Sequence, residues 1–204
     1  MKRDLPIYEA LVTDAETGIY ALALVTDPAV ESLLLCFDED KKQIQFKVEN
    51  EEKRVVTGLI MCADRLIYRR DDSGYEYYIK YSKDTLQIMA EKMLFDGVQN
   101  VFNFGHDSNN PVYGMLCREI YLKDVERNIN PKGFEDVEDG SLFGTFYVSD
   151  DEVWNKIKDG TFGISLEGYF SIGEVKAETP EEMAENALID EILGMLDEIK
   201  NKVK

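Results

Sequence analysis

The sequence predicts an α+β fold in which short β-strands outnumber helices. Three features carry this prediction: short apolar runs are separated by turn residues, two segments before residue 175 have helical spacing, and a third helical segment follows them. An apolar share of 44% in 204 residues is enough to build a core. We divide the chain into a β-rich N-terminal segment (1–50) packed with the core, a core (51–174) and a C-terminal amphipathic helix (175–204).

Strands are predicted throughout the first part of the chain because apolar and aromatic runs alternate there with Asp, Gly and Pro. They fall at 7–12, 18–25, 33–37, 43–48 and 55–62, followed by a hairpin of 66–70 and 75–81 around the turn 71–74. The acidic run 49–52 marks the first boundary.

A helix is predicted from Ser82, its N-cap, to Gly97, with Leu86, Met93 and Leu94 among the residues on its apolar face. Further strands are predicted at 101–105, 112–122 and 142–148. A polar turn is expected at 107–110. The long loop 123–140 is expected to be functional or mobile because of its length.

A second helix begins with a capping box at Ser149 and ends at Gly160. The C-terminal helix begins at residues 179–182, where an N-cap threonine precedes a proline and two acids. Its apolar residues follow a 3–4 spacing, at Ile189, Ile192, Leu196, Ile199 and Val203. This seam suits a partner helix or a second copy of the chain, and equally suits packing against its own domain.

Charge and cysteine usage exclude several classes of protein. The net charge of -18 argues against a nucleic-acid-binding face and against binding to anionic membranes. Three cysteines without paired spacing indicate neither a disulfide framework nor a metal site, so a reducing compartment is expected. No signal-peptide run or membrane-length apolar run is present, so we expect a soluble, cytoplasmic protein.

Ser165 lies on the most informative predicted strand, within residues 161–170. Phe162, Ile164 and Leu166 alternate with small or polar residues, so the Ser165 side chain is expected to point away from the core. A hydroxyl on a glycine-rich strand suits a nucleophile, because glycines let a ligand approach the backbone. A surface serine without a role fits the same pattern.

His106 is the single histidine of the chain, so any imidazole chemistry must use it. A histidine-rich zinc site is excluded, and a lone histidine is more often structural than catalytic. Its place beside Asp107 in a polar turn favours function. Cys117 and Cys62 are weaker nucleophile candidates because neither has a glycine-rich setting. No nucleotide-binding motif is present, and we predict no cofactor and no metal.

Several segments, taken in order, resemble the serine protease family of tailed-phage prohead (capsid maturation) proteases, which is related in fold to herpesvirus assemblin. The resemblance covers about residues 7–172. It is carried by residues 23–29, 56–61, 67–70, 81–85, 103–107, 144–146, 153–160 and 163–168.

The resemblance implies an assemblin-like, mainly antiparallel β-barrel flanked by helices, with Ser165 as nucleophile and His106 as base. Glu119 is the expected third member, on a strand where the family commonly has a Glu-Ser-Trp-like run and this chain keeps only the acid and an aromatic residue. Asp107 and Glu167 are the alternatives.

The function implied is a serine endopeptidase that cleaves scaffold and major capsid precursors, and itself, inside the immature phage capsid in the host cytoplasm. Residues 179–204 would bind scaffold or form a homo-oligomer. The alternative is a non-catalytic capsid-assembly adaptor that keeps the protease-like fold.

Overall fold

A computed structural model describes residues 5–26, 46–71 and 73–174. The chain divides into two compact units, Met1–Glu174 and Val175–Lys204, and the described residues all belong to the first unit. The predicted C-terminal helix and the predicted strand at 33–37 lie outside the described residues. None of the helices in the described ranges is both long and apolar enough to cross a membrane.

The described part of the chain contains twelve strands and two helices. In chain order they are β1 (Ile7–Leu11), β2 (Gly18–Val25), β3 (Phe46–Asn50), β4 (Val55–Met61), β5 (Ile67–Arg70), β6 (Glu76–Lys80), α1 (Lys83–Phe95), β7 (Phe102–Phe104), β8 (Asp107–Pro111), β9 (Met115–Leu122), β10 (Leu142–Val148), α2 (Asp151–Lys158), β11 (Gly163–Tyr169) and β12 (Ser171–Glu174).

The strands form three four-stranded sheets. The first has the order β12-β1-β6-β5, the second β3-β4-β10-β9, and the third β11-β2-β7-β8. Neighbouring strands are antiparallel except in the pairs β1–β6 and β2–β7, which are parallel. Strands of the N-terminal segment therefore pair with strands of the predicted core.

The predicted α+β fold with an assemblin-like β-barrel flanked by helices is wrong, because the described part of the chain is mostly sheet, with 46% strand and 14% helix. All three sheets are open, and none closes into a barrel in the described part of the chain. The first and third sheets each combine parallel and antiparallel pairs, whereas the second is purely antiparallel. The third sheet ends at β8, in which every residue is exposed to solvent.

One local prediction is also corrected, and the structure adds two local features. Residues 107–110, predicted as a turn, belong to strand β8, because a tight hairpin turns the chain already at residues 105–106. The loop 123–140 is anchored in the core, since Phe134 and Val137 are buried. A strand that the pattern did not predict, β12, pairs with β1.

Helix α1 agrees with its prediction in most respects. Its N-cap is Ser82, whose side chain accepts a hydrogen bond from the Thr85 backbone N–H. Leu86 and Met93 are buried as expected, whereas Leu94 is exposed because it lies beside the buried stripe and not on it.

Helix α2 begins one residue later than its capping box indicates. Asp150 is the N-cap and accepts from the Val153 N–H at 2.9 Å. The Ser149 hydroxyl instead donates to the Gly114 carbonyl at 3.0 Å, so it fixes the end of β10 to the turn before β9.

The core joins the second and third sheets. Phe102 of the third sheet packs edge-on against Phe146 of the second, with ring centroids 5.9 Å apart. Met89 of α1 and Leu22 of β2 are fully buried in the same cluster, and α1 packs against β2, β9 and β10. One face of the third sheet is therefore apolar and covered, which leaves its other face for polar side chains.

Candidate functional site

The candidate site lies on the face of the third sheet that turns away from the core. Ser165 of β11 is opposite Ala23 of β2, and Ala23 is opposite Asn103 of β7, so these three residues form one row across the sheet. Glu167 is opposite Ala21 in the next row on that face. Directly paired residues share a face, so Ser165, Glu167 and Asn103 project from the same side.

The alanines of β2 leave space between the polar residues. Ala21 and Ala23 carry only a methyl group above the sheet, so side chains of β11 and β7 can meet over the strand that separates them. The Asn103 Nδ2 atom donates a hydrogen bond to Glu167 Oε1 across β2. Both residues are buried, with 4% of Asn103 and 9% of Glu167 exposed.

His106 is placed by a two-residue hairpin between β7 and β8. Phe104 pairs with Asp107, and the intervening Gly105 and His106 have φ of 61° and 63°. Positive φ at both central residues defines a type I′ turn, which suits the twist of a hairpin. Glycine adopts this conformation readily, whereas in histidine it costs about 1–2 kcal/mol. The backbone is therefore strained at the residue that carries the imidazole.

The imidazole of His106 faces the carboxylate of Glu167. The Nδ1 atom lies 3.5 Å from Glu167 Oε1, the same oxygen that accepts from Asn103. The Glu167 side chain is 8% exposed and the His106 side chain 45% exposed. Because Nδ1 is turned toward the carboxylate, Nε2 is the nitrogen left to exchange a proton with another group.

Tyr20 also reaches Glu167, through an irregularity in β2. Consecutive residues Glu167 and Gly168 pair with Ala21 and Ile19, so Tyr20 is the unpaired residue of a β-bulge. Burial, the negative charge of Glu167 and a hydrogen bond to that carboxylate raise the pKa of the Tyr20 hydroxyl. A tyrosine hydroxyl is protonated at neutral pH, so it can donate to the carboxylate.

One buried polar atom of the site has no hydrogen bond. Asn103 Oδ1 is inaccessible to solvent and finds no partner in the described part of the chain. Glu167 is an acceptor when it is ionised, so the Asn103 amide must turn its NH₂ group toward the carboxylate, and this leaves Oδ1 without a donor. A buried unsatisfied oxygen costs about 1–3 kcal/mol. Packing alone would not require an asparagine here.

Ser165 is 8% exposed, and its hydroxyl forms no hydrogen bond with any described residue. The prediction that its side chain points away from the core is confirmed, because the neighbouring Ile164 is on the core face. The expectation of a surface position is wrong, since the face opposite the core is itself largely covered. A hydroxyl without a partner is free to donate to a base.

The structure brings Ser165, His106 and Glu167 to one sheet and places Glu119 elsewhere. Glu119 is on β9 of the second sheet, opposite Thr145, and is exposed. It lines a shallow cavity beside the loop 123–140. The carboxylate of Asp107 accepts from the Asn109 N–H at 2.9 Å, within its own strand.

Two residues of the site were not predicted. Asn103 falls in a segment that carries the family resemblance, but no pattern assigned it a role. Tyr20 gives no signal at all in the sequence, because its position depends on a bulge between strands that are far apart in the chain. Only the separation of Glu167 from Ser165 by two residues on one strand indicated a shared face.

The alternative nucleophile Cys117 is unsuited to its task. Burial raises the pKa of its thiol to about 11, so the reactive thiolate is scarce at neutral pH. Cys62 is buried. No group of three or more His, Cys, Asp or Glu side chains within the described ranges is arranged to hold a metal ion.

A cavity of about 410 Å³ lies beside the hairpin that carries His106. Aromatic rings of Phe104, Phe162 and Tyr113 form its apolar part, and Asp150 and Lys156 of the α2 region give it charge. Phe104 and Phe162 are close in sequence to His106 and Ser165, respectively.

Compared with protein-family models, curated proteins and solved structures, the chain has no match in any of the three.

Proposed function

We propose that the chain is a serine endopeptidase with Ser165 as nucleophile, His106 as general base and Glu167 as the acid that orients His106. The observation that supports this most is the contact of His106 Nδ1 with the buried carboxylate of Glu167, on the sheet face that also bears Ser165. A nucleophile, a base and a group that orients the base are the three parts that acyl transfer requires.

In this mechanism Glu167 holds the Nδ1–H of His106, and the Nε2 atom accepts the Ser165 proton as Oγ attacks the peptide carbonyl. The tetrahedral intermediate breaks down when His106 returns the proton to the leaving amine. Water then attacks the acyl-enzyme, again with His106 as base, and releases the new carboxyl terminus and the free serine.

We further propose that the substrates are scaffold and major capsid precursors, and the chain itself, inside the immature phage capsid of the host cytoplasm. This part rests on the resemblance to prohead proteases of the short segments, taken in order, that fall between about residues 7 and 172. Residues 179–204 would bind scaffold or another copy, which raises the effective concentration of substrate around the site. The alternative is a non-catalytic assembly adaptor.

Labelling with a fluorophosphonate tests the chemistry without knowledge of the cleavage sequence. Ser165 Oγ attacks phosphorus, fluoride leaves, and the hydroxyl proton passes to His106. Mass spectrometry should locate the adduct on Ser165, and both Ser165→Ala and His106→Ala should abolish it. Glu167→Gln should slow labelling by about 10³–10⁴-fold, as loss of an orienting acid does in triads.

Glu119→Gln is the matched control, because it makes the same chemical change on a different sheet and should leave labelling unchanged. Co-expression with the capsid and scaffold precursors then tests the substrates. Suppose that the precursors assemble normally and that their processing is the same with the parent protein and with Ser165→Ala. This result would support the adaptor and refute the protease.

A further inference from the structure

We propose that Asn103 and Tyr20 are positioning residues that hold the Glu167 carboxylate so that it keeps His106 in the Nδ1–H tautomer. This inference rests on the proposed function, because it assigns the support of the residue that orients the base. Neither Asn103 nor Tyr20 would contact substrate. Their effect would reach Ser165 only through Glu167 and His106.

The position of Asn103 fits such a role in two ways. Its Nδ2 atom donates to Glu167 Oε1, the oxygen that faces His106 Nδ1. The oxygen of the same amide, Oδ1, is left buried without a partner among the described residues. The asparagine therefore donates a hydrogen bond to the carboxylate while its own oxygen accepts none. Such an unsatisfied buried group is expected where a side chain is kept for function and not for stability.

Tyr20 belongs to β2 itself, the strand that lies between those of Glu167 and Asn103. The bulge turns an extra residue toward the site, and re-aiming a side chain is a common role of β-bulges. Its ring packs against that of Tyr169, with centroids 5.2 Å apart. Although 43% of Tyr20 is exposed, its hydroxyl is protonated at neutral pH and is able to donate to the carboxylate.

Together these contacts restrict a long side chain to one orientation. A glutamate has three rotatable side-chain bonds, and an exposed one would sample many rotamers. Asn103, Tyr20 and His106 approach Glu167 from β7, β2 and the hairpin turn, respectively. With the two donors in place, the carboxylate is presented to Nδ1, and hydrogen bonding at Nδ1 decides which nitrogen carries the proton.

The single histidine makes this testable by NMR on the whole chain. Ring nitrogens labelled with ¹⁵N give one set of signals, and at alkaline pH their shifts report whether Nδ1 or Nε2 carries the proton. The parent protein should show the Nδ1–H tautomer. Glu167→Gln should move the shifts toward Nε2–H, and Asn103→Ala should do the same to a smaller extent.

Tyr20→Phe should cause a smaller change than Asn103→Ala, and Tyr169→Phe, which removes a hydroxyl from an exposed neighbour, should cause none. Asn103→Leu fills the space of the amide if Asn103→Ala does not fold. In both Asn103 variants the rate of fluorophosphonate labelling should fall by about tenfold or more, as expected for the loss of a hydrogen bond to a charged group.

The outcomes separate the two proposals. If folded Asn103 and Tyr20 variants keep the parent tautomer and labelling rate, the positioning role is refuted while the protease proposal stands. If the tautomer changes but the parent protein is never labelled at Ser165, the positioning role stands and the protease proposal fails. A parent protein in the Nε2–H tautomer overturns the positioning role outright.

Discussion

Replacing Lys123 by methionine should release the loop 123–140 and destabilise the whole first unit. The Lys123 side chain is buried, and its Nζ donates to the carbonyls of Phe134, Glu135 and Val137 at 3.0, 2.7 and 2.6 Å. An ammonium has three donors, so all three are used. One side chain thus fixes the far part of the loop to the end of β9.

The expected magnitude follows from these contacts. Methionine keeps the length of the side chain but leaves the two buried carbonyls, those of Phe134 and Val137, without a donor, at about 1–3 kcal/mol each. Part of this loss is offset because the buried ammonium no longer has to be desolvated. We expect a decrease of about 3 kcal/mol in the free energy of unfolding, a large share of a typical total of about 5–15 kcal/mol.

Urea unfolding followed by circular dichroism measures this decrease, and limited proteolysis shows whether cleavage appears within the loop. Lys132→Met is the matched control, since Lys132 is an exposed lysine of the same loop. A decrease below about 1 kcal/mol, of the size of an ordinary surface substitution, with no new cleavage in the loop, would refute the reasoning.

Three further predictions follow. His106→Gly and His106→Ala should both abolish labelling, and His106→Gly should be the more stable of the two by about 1 kcal/mol in urea melts, because both lose the contact with Glu167 and only glycine relieves the positive φ; equal stability of the two variants would contradict the strained turn. The rate of Cys117 alkylation, measured by mass spectrometry, should be low near neutral pH and should rise tenfold per pH unit toward about 11, because the pKa of the thiol is raised to about that value. Fast alkylation at pH 8 would contradict this. Gly58→Ala should lower stability by about 1–3 kcal/mol, because the new Cβ would lie 2.7 Å from the Phe46 ring, and an unchanged melting temperature would contradict that packing.

The sequence predicts most elements of the fold because they depend on local patterns. Strand β10 was predicted with its observed ends, and Ser82 was predicted as the cap of α1. The arrangement of the strands was not predictable in the same way. The pairing of β2 with β11 joins segments more than a hundred residues apart, and the parallel pairing of β2 with β7 has no signature in either strand.

The same distinction explains the choice between Glu119 and Glu167. The resemblance assigned Glu119 because the family commonly has an acid on the strand after the histidine, which assumes that this strand, β9, lies beside the site. In the open sheets, β9 is an edge strand of the second sheet, and Glu119 is exposed there, whereas Ser165 and His106 belong to the third sheet. The spacing of Ser165 and Glu167 did not depend on that assumption, because a shared face two residues apart is a property of the strand itself.

Strand β2 explains why a polar site lies on a buried face. It is buried along almost its whole length, and its nearly continuous apolar sequence is typical of a strand that is covered on both faces. Yet its residues differ by face, with Leu22 and Leu24 toward the core and Ala21 and Ala23 beneath the site. The alanines satisfy the apolar pattern and still leave room for Glu167 and its partners. In buried surroundings electrostatic interactions are stronger than in water, so the hydrogen bond between Asn103 and Glu167, which are both buried, gains strength from this covered face.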